Sequence, residues 1–178
     1  MSPETYLPTL AEVGITLAGF TGLIVTIRRG NSRPFAKHEL LRVVGTITIC
    51  LVTVLCSALP YALSGLPVAP HLKWSIPLLL SSGVVIVLFG KTIQLIIRGE
   101  IVFVARWITW PLLAIVGVLS IVTFASGLGL VLPYSPGLLV LFLAVALFAS
   151  AVTLVATLAI VIRGERDGDS VGHNRPSR

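Results

Sequence analysis

The chain has 178 residues, 56% of them hydrophobic, with a mean hydropathy of +1.01. Charged side chains make up only 11%, against roughly 25% in ordinary soluble domains. Too little polar surface is left to solvate a globule, which excludes a water-soluble enzyme, a disordered chain and a secreted disulfide scaffold.

Crossing roughly 30 Å of hydrocarbon takes about 20 helical residues. Five apolar runs reach that length, at 8–27, 43–66, 74–97, 107–132 and 137–162. They are continuous rather than alternating, as helices are and barrel strands are not. The expected fold class is therefore all-α: an integral membrane bundle of five transmembrane helices, antiparallel between neighbours. It forms one domain over 1–162, and 163–178 is a polar cytoplasmic tail rich in Gly and Asp, expected to be disordered.

The residues before the first run lack a basic n-region, so that run is expected to be a retained helix rather than a cleaved signal. Glu12 lies about four residues into it, roughly 6 Å below the outer boundary. Thr9, Glu12, Thr16, Gly19 and Thr26 fall within about 100° around the helix. A charge in hydrocarbon is costly, which makes Glu12 with Thr16 a candidate ion or proton site in a water-accessible cavity. The plainer reading pairs Glu12 with Lys73 or His71 of an outer loop, or has it accept hydrogen bonds from Thr and Ser on adjacent helices. Gly14, Ala18 and Gly22 make a small-residue seam on another face, suited to a bundle contact or to a homo-oligomer.

Arg28, Arg29, Arg33, Lys37 and Arg42 follow. They are expected to contact the head groups of an anionic inner leaflet, each contributing on the order of 1 kcal/mol. In the second run Thr46, Cys50, Thr53 and Ser57 share a stripe, and Pro60 is expected to end or kink the helix. Cys50 and Cys56 diverge by about 120° and do not bridge. In the third run Pro77 is expected within the first turn or so, where proline is tolerated. Lys91, Gln94 and Arg98 fall within about 60° of one another. They form a candidate inner vestibule for anions, unless Lys91 merely snorkels outward. The fourth run opens near Pro111 and carries Gly117, Ser120 and Gly127, and the fifth carries Ala146, Ser150, Thr153 and Thr157. These small and hydroxyl stripes read as helix-packing surfaces.

Orientation follows from the basic residues. With the N-terminus outside and the C-terminus inside, twelve of the thirteen Lys and Arg lie inside and only Lys73 lies outside, the bias that membrane insertion favours. Tyr6, Tyr61, Trp74 and Tyr134 then fall at outer ends and Trp107 and Trp110 at an inner end, as amphipathic rings prefer. The sequence also hints at duplication. Leu59-Pro60-Tyr61 matches Leu132-Pro133-Tyr134, and Ile97-Arg98-Gly99-Glu100 matches Ile162-Arg163-Gly164-Glu165. One helix followed by two parallel hairpins would account for both matches.

Catalytic chemistry is not legible. There is no phosphate-binding loop, no nucleophile elbow and no pair of acids within a run. His38, His71 and His173 have no metal-ligand spacing, and no basic soluble domain or aromatic platform points to nucleic acid. No enzyme activity, cofactor or metal is expected. The expectation is a multi-pass protein of the cell (plasma) membrane, leaning to a small channel- or transporter-like permeation subunit that works as a homo-oligomer. The alternative is a non-catalytic membrane module that binds a protein partner or lipid.

Overall fold

A computed structural model describes residues 5–30, 37–67, 69–97, 106–131 and 135–172. Of these, 93% are helical and none is in a strand. The helices are α1 (Tyr6–Gly30), α2 (Lys37–Ser64), α3 (Pro70–Ile97), α4 (Arg106–Gly127) and α5 (Pro136–Gly172). Each contains a stretch long and apolar enough to cross a membrane, so the chain is a multi-pass membrane protein.

Several helix ends differ from the sequence expectation, each for a local reason. α3 begins at Pro70 instead of 74, which leaves Pro77 eighth in the helix rather than in its first turn. Without an N–H, Pro77 cannot bond the Lys73 carbonyl four residues back. Pro111 is likewise sixth in α4, and α2 continues through Pro60 to Ser64. α4 stops at Gly127 although the apolar run continues to 132. There the Leu130 N–H donates to the Ala125 carbonyl at 2.9 Å and the Gly129 N–H to that of Ser126 at 2.8 Å. Gly129 has φ 76°, a left-handed residue that closes the helix in a Schellman turn. At the other extreme, the α5 backbone continues past 162 to Gly172, so 163–172 is helical where disorder was expected. Residues 173–178 lie outside the described residues.

α5 packs against all four other helices. Among the described residues, α1 touches only α2 and α5, and α4 touches only α3 and α5. The first four helices therefore run side by side in chain order, and α5 closes the row from behind. The apolar core is small: Leu7, Cys56, Leu78, Val85, Leu139, Phe142 and Leu143. Large apolar side chains such as Ile97, Leu130 and Val155 face outward, whereas eleven Ser and Thr side chains are buried. This inversion suits lipid, where apolar burial drives nothing and close packing of small residues holds helices together.

Close approaches fix the helix register. A Cβ added at Gly14 would stand 3.2 Å from the Cys50 carbonyl oxygen, 3.2 Å from Val54 and 3.9 Å from Leu147. Gly127 sits against Leu78 and Leu79, and Gly117 against Phe89. The membrane spans of α2 and α5 are Leu40–Ser64 and Pro136–Ala156, so Cys50, Val54 and Leu147 all lie within two residues of a span's midpoint. Gly14 therefore lies level with the middle of the apolar spans of both α2 and α5.

Candidate functional site

Glu12 is two residues from Gly14, about 3 Å along the helix, and so near the level of the middle of the α2 and α5 spans. It lies four residues from the middle of its own span, Tyr6–Thr26.

The direction Glu12 faces is also unexpected. Leu7, Gly14, Thr21 and Ile24 are the buried positions of α1, while Thr9, Glu12, Thr16, Gly19 and Thr26 are all exposed. The polar stripe therefore lies on the side of α1 away from α2 and α5. Around it the outer surface is apolar, with Val13, Ile15, Phe20 and Leu23 exposed. The Glu12 carboxyl group has no partner among the described residues. It is not paired with Lys73 or His71, and it does not point into the bundle. Thr16 donates to the Glu12 backbone carbonyl at 2.8 Å and Thr26 to that of Gly22 at 2.9 Å, so these hydroxyls are satisfied within their own helix.

The small-residue seam is divided. Gly14 is taken by α2 and α5, as the distances above require, and is not available to a second copy. Ala18 and Gly22 are half-buried, and a Cβ on Gly22 would meet nothing within 4 Å. The seam thus makes a bundle contact at Gly14, while Ala18 and Gly22 are less closely covered.

The interior stripes are packing surfaces. Thr46, Cys50, Thr53 and Ser57 are buried on α2, Ser120 on α4, and Ala146 and Ser150 on α5. Several interior hydroxyls close on their own helix, as Ser and Thr do in membrane spans. Thr21 donates to the Leu17 carbonyl, Thr53 to Ile49, Ser81 to Pro77, Ser120 to Val116 and Thr153 to Ala149. Among the described residues, only Ser57, Thr123 and Ser150 have buried side-chain oxygens without a hydrogen-bond partner. Both cysteines are free and buried.

At the opposite end of the bundle, Lys91 and Gln94 are exposed on α3. Arg98, the third residue of the expected vestibule, lies outside the described residues. Of the basic cluster, Arg42 is half-buried and has a bonding partner. Arg33, and the side chains of Arg28, Arg29 and Lys37, lie outside the described residues. No grouping of three or more His, Cys, Asp or Glu suited to a metal occurs among the described residues. Sequence reasoning passed over the Ser81-Ser82-Gly83 step of α3, where two hydroxyls and a missing side chain interrupt an otherwise apolar run. No family model matches this chain, and no curated protein or solved structure is significantly similar to it.

Proposed function

We propose that the protein is one subunit of a small permeation assembly in the cell membrane. It is oriented N-terminus outside and C-terminus inside, and its conduit runs between copies along the Thr9, Glu12, Thr16 and Gly19 face of α1. One observation carries this reading: an acid near the bilayer centre, on an outward face, with no partner among the described residues. A carboxylate facing lipid at that depth costs several kcal/mol, so acids there face a cavity or another chain. Copies arranged with α1 toward a common axis would gather one Glu12 from each, and rings of acidic side chains select cations. Protons or small cations are the substrates this chemistry suits.

The contact pattern also fits the proposed duplication. Exchanging the α2–α3 hairpin for the α4–α5 hairpin maps the α2–α5 contact onto α4–α3 and leaves α3–α5 in place. All of these contacts occur, and α2 and α4 stay apart among the described residues. α1 is then an addition to a duplicated four-helix unit, free to serve as the lining helix.

The test is flux in liposomes reconstituted with purified protein, comparing the wild type with Glu12→Gln. A loss of at least about tenfold in proton or potassium flux is expected, corresponding to about 1.4 kcal/mol in the barrier. Unchanged flux would remove Glu12 from the mechanism. A second reading keeps the same face but makes it the seat for a helix of another protein, since α1 is open on that side. Absence of any flux, together with a stoichiometric foreign partner retained in mild detergent, would favour that reading.

A further inference from the structure

From Tyr6 to Ile27, α1 contains no lysine, arginine or histidine, so Glu12 brings the only charge to its outward face. On the C-terminal side of Glu12, the hydroxyls of that face have already committed their protons. Thr16 donates to the Glu12 backbone carbonyl at 2.8 Å, and Thr26 donates to that of Gly22 at 2.9 Å. Both threonines are exposed. Bound in this way, each oxygen keeps lone pairs with which to accept but has no proton to give. Gly19 lies between them, exposed, and a Cβ there would meet nothing within 4 Å.

This arrangement treats a proton and a metal ion differently. A relay of protons needs each member to accept one proton and pass on another. Thr16 can accept, but it passes a proton on only by breaking its bond to the helix. A hard metal cation needs only oxygen lone pairs, from carboxylate, hydroxyl and water.

We infer that the ion carried along the α1 face is an alkali cation rather than a proton, and that Thr16 sets this preference. The inference rests on the permeation reading and names its substrate. Thr16 lies four residues from Glu12, about 6 Å along the helix. Copies gathered around an axis would therefore stack a ring of hydroxyl oxygens one turn from the ring of carboxylates. An ion drawn in by the charged ring steps to a neutral ring that replaces part of its water shell and holds it less tightly. Successive sites, favourable to enter yet weak enough to leave, are what conduction requires.

Flux in liposomes reconstituted with the full chain tests the two claims separately. Under a potassium gradient at equal pH, a potassium-sensitive dye is expected to report entry in the wild type. Thr16→Val keeps the side chain's shape on an exposed face and lowers that rate about tenfold, the scale of one lost polar contact to a charge. Thr16→Ser keeps the hydroxyl and stays close to the wild type. Under a pH gradient, with valinomycin carrying counter-charge, wild-type liposomes hold the gradient as long as protein-free ones. Potassium flux that Glu12→Gln reduces but Thr16→Val leaves unchanged overturns the inference alone. So does an equal loss in Thr16→Ser, or a proton leak that Glu12→Gln abolishes. A wild type that passes neither ion, or potassium flux indifferent to Glu12→Gln, overturns the permeation reading with it.

Discussion

Two polar regions of this molecule obey opposite rules. Inside the bundle, α2, α3, α4 and α5 bring together Thr53, Ser57, Ser81, Ser82, Ser120, Thr123 and Ser150, all buried. On the outside, α1 turns Thr9, Glu12 and Thr16 away from every other helix. The interior hydroxyls are small, mostly self-satisfied, and let helices approach closely. The outer acid cannot satisfy itself in this way, because a carboxyl group at mid-bilayer needs a partner that its own helix does not provide. In a membrane protein, buried polarity therefore marks packing, and exposed polarity at depth marks where the molecule is incomplete.

The comparison breaks most visibly at the junction between the two regions. Gly14→Leu is expected to force α1 off α2 and α5, costing about 1–3 kcal/mol through overpacking and lowering the melting temperature in detergent. Gly22→Leu, where a Cβ meets nothing, is expected to stay within about 0.5 kcal/mol. Equal losses from the two would show that the register of α1 is wrong.

A smaller effect separates bonded from orphaned hydroxyls. Ser81→Ala loses a buried bond to the Pro77 carbonyl and is expected to cost about 0.6 kcal/mol, an average for such groups in lipid. Ser57→Ala and Ser150→Ala remove oxygens that lack partners and are expected to be neutral or slightly stabilising. Reversible unfolding in mixed micelles measures both. The smallest effect belongs to the outer face. Glu12→Gln is expected to leave the unfolding midpoint of the isolated chain within about 0.5 kcal/mol of the wild type, and to keep cross-links between copies through a cysteine placed at Thr16, since a ring of like charges does not itself hold copies together. A large loss of monomer stability would mean that Glu12 is bonded inside the bundle after all.

The five helices were legible because continuous apolar length is a strong signal, and charged or proline-bearing segments such as Arg28–Arg42, Pro67–Lys73 and Arg98–Arg106 separate the runs. Their ends were less so. Gly129 ends α4 by its left-handed backbone, a signal that Leu128 and Leu130 on either side hide within an apolar run. Pro77 gave the wrong start for α3 because Pro70, seven residues earlier, takes the initiating position. For the site, spacing correctly grouped Glu12 with Thr16, since angles around one helix follow from the chain alone. Periodicity could not say whether that face turns inward or outward, nor how deep it lies. Both depend on where α2 and α5 meet α1, and Gly14 is the residue that decides it.

α5 follows the other four helices in the chain, yet Leu139, Phe142 and Leu143 supply nearly half of the apolar core cluster. Until it emerges, α1 and α4 are held only through their neighbours in sequence among the described residues. Assembly is thus deferred until α5 has been made. A chain interrupted before residue 136 would be four inserted helices without a spine, a ready target for membrane quality control.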